Sequence, residues 1–334
     1  MKKLVSLALA LVMVLCAMSA LAEIELKWYQ PEPETHPWTQ ASYMIAEEIE
    51  KNSNGEIKVT IYPGAVLGTQ AEAVDMLRYG DLALLTSGPS ILASWCDQVQ
   101  VYSLPYAFED PAQAYAFFES DISQDIFNKT ILDASGVRTL DVWYFGDRNL
   151  TIKGMDTVTD PSQIAGKAIR CMDTPISKSV VASLGGSPVP MNISELYLAL
   201  QTGVVVGQEN PIPTIIAQKF YEVQDAVVLT RHSVHMGTVH VSEIIWKTLS
   251  ADQQKVITDA LAKYRPVIEE MINENTEAGL AELKEKGVSV SEPDLTPFRA
   301  NAQKVLEETF GGDEAWMSVI NALNTFKEEY NAAK

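Results

Sequence analysis

The chain is 334 residues long and carries 25 basic against 44 acidic residues, a formal charge of −19 with histidine neutral. Such a balance excludes a nucleic-acid partner, because phosphate binding needs a basic face. The length exceeds what one ordinary hydrophobic core supports, so two lobes are expected, and no repeat or low-complexity run marks their boundary.

The first residues read as an export leader. Met1, Lys2 and Lys3 make a basic start, Leu4 to Ala17 an apolar run, and Ser19 to Ala22 a cleavage site of small residues, which puts the mature N-terminus at Glu23. An apolar run of about 14 residues falls short of the roughly 20 that span a bilayer. Cys16 follows Leu15, not the small residue a lipidated cysteine requires. No later stretch approaches a membrane span, so a soluble, periplasmic mature protein is expected. Cleavage removes Lys2 and Lys3 and leaves 23 basic residues against 44 acidic ones, a charge of −21.

Strands and helices alternate from there. Ile24, Leu26 and Trp28 alternate as a strand, as do Ile57, Val59 and Ile61, while Trp38, Ala41, Ile45 and Ile49 between them fall at helical spacing. Asp81 to Leu85 reads as a strand with a polar tip at Thr86 and Ser87. Val137 to Phe145 reads as another, leading into Gly146, Asp147 and Arg148; this transition and a second crossing over His235 to Ser242 are the expected hinge strands. Asp160, Pro161, Ser162 and Gln163 form a compact helix start that Gly166 closes, and Lys167 to Cys171 reads as the next strand. Gly185 to Met191 looks like a turn-rich entry into a helix capped by Asn192, with Glu195 at its third position. Gly203 suits the end of that helix, and Val204, Val205 and Val206 read as a buried strand. Gln208, Glu209 and Asn210 then form a polar tip. In open α/β sheets ligands sit outside the carboxyl ends of strands, so this tip points to a polar ligand, although a plain polar loop fits it equally. Ser250 to Gln253 is a capping box opening a long helix toward Glu285, which Pro266 should kink or break.

Several of these runs resemble the DctP-type solute-binding proteins of TRAP transporters, tripartite ATP-independent carriers of organic acids. They are IAGKAIR (164–170), GSPVPM (186–191) and ELYLALQTGVVVGQENP (195–211). The likeness extends to NGEIKVTIYP (54–63) with Leu67 and Gly68, Leu104 to Tyr106, Gly146 to Arg148, and KFYEVQ (219–224) followed by Thr230. One position departs: Val206 stands where the family usually has Asp.

The resemblance implies an α/β, two-lobed periplasmic-binding-protein fold, type II-like, with a ligand cleft between discontinuous lobes and a long helix spanning them. Residues 1–22 would be the signal peptide. Residues 23–145 would form lobe I, with a return segment near 236–275, and 146–235 lobe II, with a C-terminal segment near 276–334. The implied function is capture of a small organic acid and delivery to a TRAP membrane permease, without cofactor or catalysis. Planar guanidinium matches a carboxylate with two parallel hydrogen bonds. The resemblance assigns that clamp to Arg170, an amide bond to Asn210 and a second cation to Arg148, in a chain with only seven arginines. Each arginine alone reads equally as an ion-pair partner for one of the 44 acids.

Other residues stay open. Trp28, Trp143, Tyr144 and Tyr197 can line the site or fill the core. Gln30, Thr86, Ser87 and Glu209 can bond ligand hydroxyls or close local turns. The polar tips favour a sugar acid such as a uronate or aldonate; a C4-dicarboxylate or another mono- or dicarboxylate is the alternative. His232, His235 and His240 with Glu243 invite a metal reading, but their intervals suit no single helix face and alternation opposes His235 to His240. Cys96 and Cys171 read as two free thiols in a compartment that permits a bridge. No Gly-x-Ser-x-Gly elbow, phosphate loop or dinucleotide fingerprint supports an exported enzyme.

Overall fold

Alternating strands pair first. Ile24–Tyr29 (β1) and Ile57–Tyr62 (β2) run parallel, with Ile24 opposite Ile57 and Trp28 opposite Ile61. The structure is a computed structural model describing residues 23–334, and the expected leader lies outside the described residues. Between the two strands, Pro37–Asn52 (α1) buries Trp38, Ala41, Ile45 and Ile49, the face its helical spacing marks. Gln70–Tyr79 (α2), opened by a Thr69/Glu72 capping box, leads to Leu84–Ser87 (β3), which lies parallel to β1.

The chain then crosses into its second half along Val137–Ile152 (β4). There follow Ala168–Cys171 (β5), Pro175–Ser183 (α3), Ser187–Pro190 (β6), Ile193–Thr202 (α4), Gly207–Pro211 (β7) and Ile212–Ala217 (α5). Ala226–Ser242 (β8) returns antiparallel to β4, from Ile152 opposite Ala226 to Val137 opposite Ser242. Ala251–Glu285 (α6), Ser289–Ser291 (β9), Thr296–Phe310 (α7) and Glu314–Ala332 (α8) complete it. One sheet holds all nine strands, in the order β2-β1-β3-β8-β4-β7-β5-β6 with β9 on β8.

Buried apolar residues collect on both sides of the β4/β8 crossing. A large cluster around Trp28, Trp38, Phe117 and Trp143 belongs to the first half of the sheet. Two smaller ones, around Ile169 with Val228 and around Leu196 with Ile215, belong to the second. The long α6 serves both: Ile257, Leu261, Ile268 and Ile272 enter the first cluster, while Leu283 enters the third. Among the described residues no helix is long and apolar enough to cross a membrane. Cys96 and Cys171 are both buried and unbridged.

Four expectations differ from the observed structure. The strand of the 204–211 region is the polar Gly207–Pro211, not the valines. Gly203 ends α4 in the left-handed conformation, Val204 is left exposed, and Val206 turns inward, its N–H donating to the Ala168 carbonyl at 2.9 Å. Residues 187–190 are not a turn but an edge strand paired with β5, a place where Pro188 and Pro190 cost no ladder bond. Of the kink or break expected at Pro266, the break does not occur: α6 runs uninterrupted through it. Core packing on both sides of the proline, and Arg265 Nε donating to buried Asp141 at 3.0 Å, hold the helix together against a penalty of about 3 kcal/mol. Finally, α8 packs on the first core through Trp316, Val319 and Leu323, not on the second half of the chain as the expected boundaries have it. Trp316 stacks on Phe310 at 4.3 Å between ring centroids, and its indole N–H bonds Asp97.

Two glycines let the crossing form. Gly146 on β4 has φ +113°, and a Cβ there would come within 2.8 Å of Pro211 Cβ. Gly237 on β8 lies beneath the Trp38 indole, which any side chain would overlap. Gly237→Ala should therefore destabilise the fold by about 1–3 kcal/mol or more, as overpacking does. The check is the urea unfolding midpoint, which falls if the ring must move and stays put if it need not.

Candidate functional site

Strand ends from both halves converge on one cleft. The carboxyl ends of β1 and β3 supply Pro31, Glu32, Ser87 and Gly88; those of β5 and β7 supply Arg170, Met172 and Asn210; the crossing strands add Phe145, Arg148 and His235. These residues, with Trp38, Gln70 and Ile193, line a small inner chamber. It shares Pro31, Gln70, Gly88, Arg170, Met172 and Ile193 with an outer groove of about 820 Å³, within the range of small-molecule sites.

The two arginines are not equivalent. Arg148 lines the chamber but is paired within the protein through two of its nitrogens: its Nε bonds one Glu209 oxygen, and its Nη2 donates to the other at 2.9 Å, to the Glu209 carbonyl at 2.7 Å and to Asn210 Oδ1 at 3.0 Å. His232 Nε2 lies 3.1 Å from Glu209 Oε2, and its Nδ1 2.9 Å from Thr230 Oγ1. A bulge in β8 aims that histidine: Leu150 pairs with Val228 and Arg148 with Ser233, so residues 229–232 bow out of the ladder. Burial alone would raise the Glu209 carboxyl, but Arg148 and His232 hold it well below the usual range.

Arg170, by contrast, donates one hydrogen bond among the described residues, from Nε to the Met191 carbonyl at 3.0 Å. It is 3% exposed yet lines both chambers, so its terminal nitrogens are presented to the cleft. Burial and the nearby Arg148 lower its pKa to about 10, against the pull of Glu209, which leaves it charged at neutral pH. Asn210 Nδ2 bonds Gln208 Oε1, and that amide also faces the inner chamber.

Three other residues expected in the site lie beneath it. Trp143 is fully buried, donates to Asp141 Oδ2 at 3.0 Å and packs against Trp28 and Trp38. Thr86 accepts from Trp28 Nε1 at 2.8 Å and from Gln30 Nε2 at 2.9 Å, forming a buried network with Ser42. Neither Thr86 nor Gln30 is among the residues lining either chamber, whereas Ser87, one step along the same strand, is. Tyr144 donates to Asp147 and Tyr197 to Glu222. His240 lies between Thr139 and Thr238 and His232 between Glu209 and Thr230, while His235 Nδ1 has no hydrogen-bond partner among the described residues, so the three neighbouring histidines do not converge on one centre.

Glu32, Trp38, Phe145 and His235 were missed. Glu32 stands three residues past the end of β1, and the strand-end rule applied to β7 marks this tip as well. Its carboxyl is pushed up to about 7 by burial, partly opposed by Gln218, Arg148 and Arg170. His235 is kept neutral by burial and by the Arg148 charge.

Comparison with known proteins decides the family. The model of bacterial extracellular solute-binding protein family 7, DctP, matches residues 30–313. The chain belongs to the DctP family. It is 34% identical over 266 residues to the sialic acid-binding periplasmic protein SiaP of Vibrio cholerae, covering 79% of this chain and 82% of that one. Its fold matches a TRAP periplasmic solute-binding protein of Roseobacter denitrificans with bound L-galactonate, at TM-score 0.84 and 27% identity, over 91% of this chain and 99% of that one. A second from that organism, with bound 3-deoxy-D-manno-oct-2-ulosonic acid, matches at TM-score 0.83 and 29% identity over the same shares. The two-lobed DctP architecture places the cleft between its lobes.

Two outcomes follow for the buried carboxyls. Glu209→Gln leaves Arg148 buried without its carboxylate and should cost about 3–5 kcal/mol in urea unfolding; a loss under 1 kcal/mol would show the pair to be dispensable. Glu32 has a raised folded pKa, so the stability it contributes is complete below about pH 4.5 and is lost as pH rises through about 7. Unfolding curves of wild type and Glu32→Gln should therefore diverge between pH 5 and 8, with wild type falling on the order of 3 kcal/mol relative to the variant.

Proposed function

We propose that this DctP-family protein is an extracytoplasmic receptor that captures a hydroxylated monocarboxylate, a sugar acid of the aldonate or uronate kind, and delivers it to a TRAP membrane permease from the periplasm. The observation that carries this reading is the asymmetry of the two arginines. Arg148 is neutralised by Glu209, while Arg170 presents a charged guanidinium to the cleft with its terminal nitrogens unpaired by protein. One cation suits one carboxylate. The second carboxylate of a C4-dicarboxylate would meet an arginine whose charge Glu209 already offsets. Three of the similar proteins carry the same chemistry, since sialic acid, galactonate and 3-deoxy-D-manno-oct-2-ulosonic acid are all hydroxylated acids with a single carboxyl; a fourth, of Rhodobacter capsulatus and 29% identical, is named for C4-dicarboxylates, so the arginine pairing carries the choice.

Capture works by population shift: a ligand touching Arg170 and Asn210 on one lobe and the β1 and β3 tips on the other favours the closed arrangement. The β4/β8 crossing, with its glycine and register shifts, is the hinge. The role is that of a receptor, which returns its ligand chemically unchanged.

A bidentate clamp at about 1.5–3 kcal/mol per charged hydrogen bond supplies much of the roughly −8 kcal/mol that micromolar affinity requires. Arg170→Ala should weaken binding of D-galactonate or D-glucuronate by about a hundredfold or more in titration calorimetry, and Arg170→Lys should recover little of it, lacking the planar fork. Affinity of Arg170→Ala within threefold of wild type would overturn the assignment.

A further inference from the structure

We infer that Ser87, His235 and Glu32 form a hydroxyl-reading subsite across the inner chamber from Arg170, which selects polyhydroxylated acids over dicarboxylates and over plain alkyl acids. This inference rests on the reading that Arg170 holds the ligand's carboxylate. Ser87 Oγ and His235 Nδ1 are buried polar atoms with no protein partner among the described residues, and both residues line the chamber. They are 0% and 5% exposed. Buried donors and acceptors are nearly always paired, and leaving one unpaired costs about as much as losing a hydrogen bond. Both therefore call for a partner supplied from the chamber itself.

Their placement fits one ligand end. Ser87 ends β3 and His235 lies on the adjacent β8, where Ser87 pairs with Thr238. Gly88 keeps this corner free of a side chain; a Cβ there would stand 3.8 Å from His235 Nε2. The imidazole is held edge-on to Phe145, with centroids 5.4 Å apart. Glu32 completes the wall, with Gln218 Nε2 3.4 Å from its Oε2.

The chemistry of the three is selective. A serine hydroxyl and a neutral imidazole each donate or accept with an alcohol, and neither supplies a positive charge. A second carboxylate here would meet Glu32 and, as its nearest cation, an Arg148 whose charge Glu209 already offsets. An alkyl chain would leave Ser87 and His235 unpaired. A site built to bond hydroxyls discriminates strongly against analogues that lack them.

The test is titration calorimetry with D-galactonate, D-glucuronate, 3-deoxy-D-manno-oct-2-ulosonic acid, succinate and hexanoate on wild type, Ser87→Ala, His235→Leu, Glu32→Gln and Arg170→Ala. Wild type should bind its preferred sugar acid at least a hundredfold more tightly than hexanoate or succinate. Ser87→Ala and His235→Leu should each weaken that sugar acid about fivefold or more and leave hexanoate within twofold. Glu32→Gln should narrow the margin over succinate at least tenfold. If His235→Leu fails to fold, judged by its melt without ligand, Ser87→Ala decides alone, since it removes a single oxygen. Sugar-acid binding lost with Arg170→Ala but untouched by Ser87→Ala and His235→Leu overturns the subsite and leaves the receptor reading standing. Binding of none of the five acids overturns both.

Discussion

The ion pair between Arg148 and Glu209 is the constraint on which the rest of the cleft depends. It joins β4 to β7 across the sheet with both side chains almost fully buried, and His232 braces the carboxylate from a third strand. A buried pair of this kind is weak evidence for net stability, because desolvation offsets most of the Coulomb attraction. Its consequence is specific all the same. By satisfying Arg148 inside the protein, Glu209 leaves Arg170 as the guanidinium whose charge is offered to the cleft. Two nearby arginines thus become one structural cation and one proposed binding cation.

The same strands that carry this pair also carry the proposed hinge. Arg148 lies two residues beyond Gly146, between two of the register shifts of the β4/β8 ladder. His232 lies in the β8 bulge and His235 on the strand just past it. Ligand-facing and hinge-forming residues are therefore neighbours in sequence, so a change in strand twist at the crossing is felt at once by the groups around the chamber. The long α6, packed into the cores of both halves, ties the halves together away from the cleft.

Much of this was legible before any coordinates. The Asn192, Ser250 and Asp160 caps lie where local hydrogen bonding puts them, and the Trp38, Ala41, Ile45 and Ile49 face is buried as its period requires. These are short-range signals, and one side chain within three or four residues decides each. Pairing of charges is not short-range. Nothing near Arg148 announces that its partner is Glu209, 61 residues away, so the sequence marks it as a second cation and does not reveal that its charge is offset inside the protein. The valine strand failed for a related reason: apolar content marks burial, but ladder pairing with β4 decides which residues are strand, and it chose the polar ones. Thr86 and Ser87 show the limit of reading strand tips. Both are polar, yet the pleat sends one into the core network and the other to the chamber.

A solute-binding protein of charge −19, for which an anionic ligand is proposed, must settle the question of sign locally. At physiological salt the field of distant carboxylates is screened over about 8 Å, so an approaching acid responds to the few charges lining the cleft and not to the molecule's total. There the sum is fine-grained: Arg148 and Glu209 cancel, His235 is neutral, Glu32 is shifted toward its neutral form, and Arg170 remains. Low dielectric strengthens that single charge against a carboxylate placed beside it, and equally penalises any second charge that arrives without a partner. Neutral polar groups around one cation therefore do more than fill space. They make the cleft electrically complete with one negative charge, and leave hydrogen bonds as the means by which one singly charged ligand would be told from another.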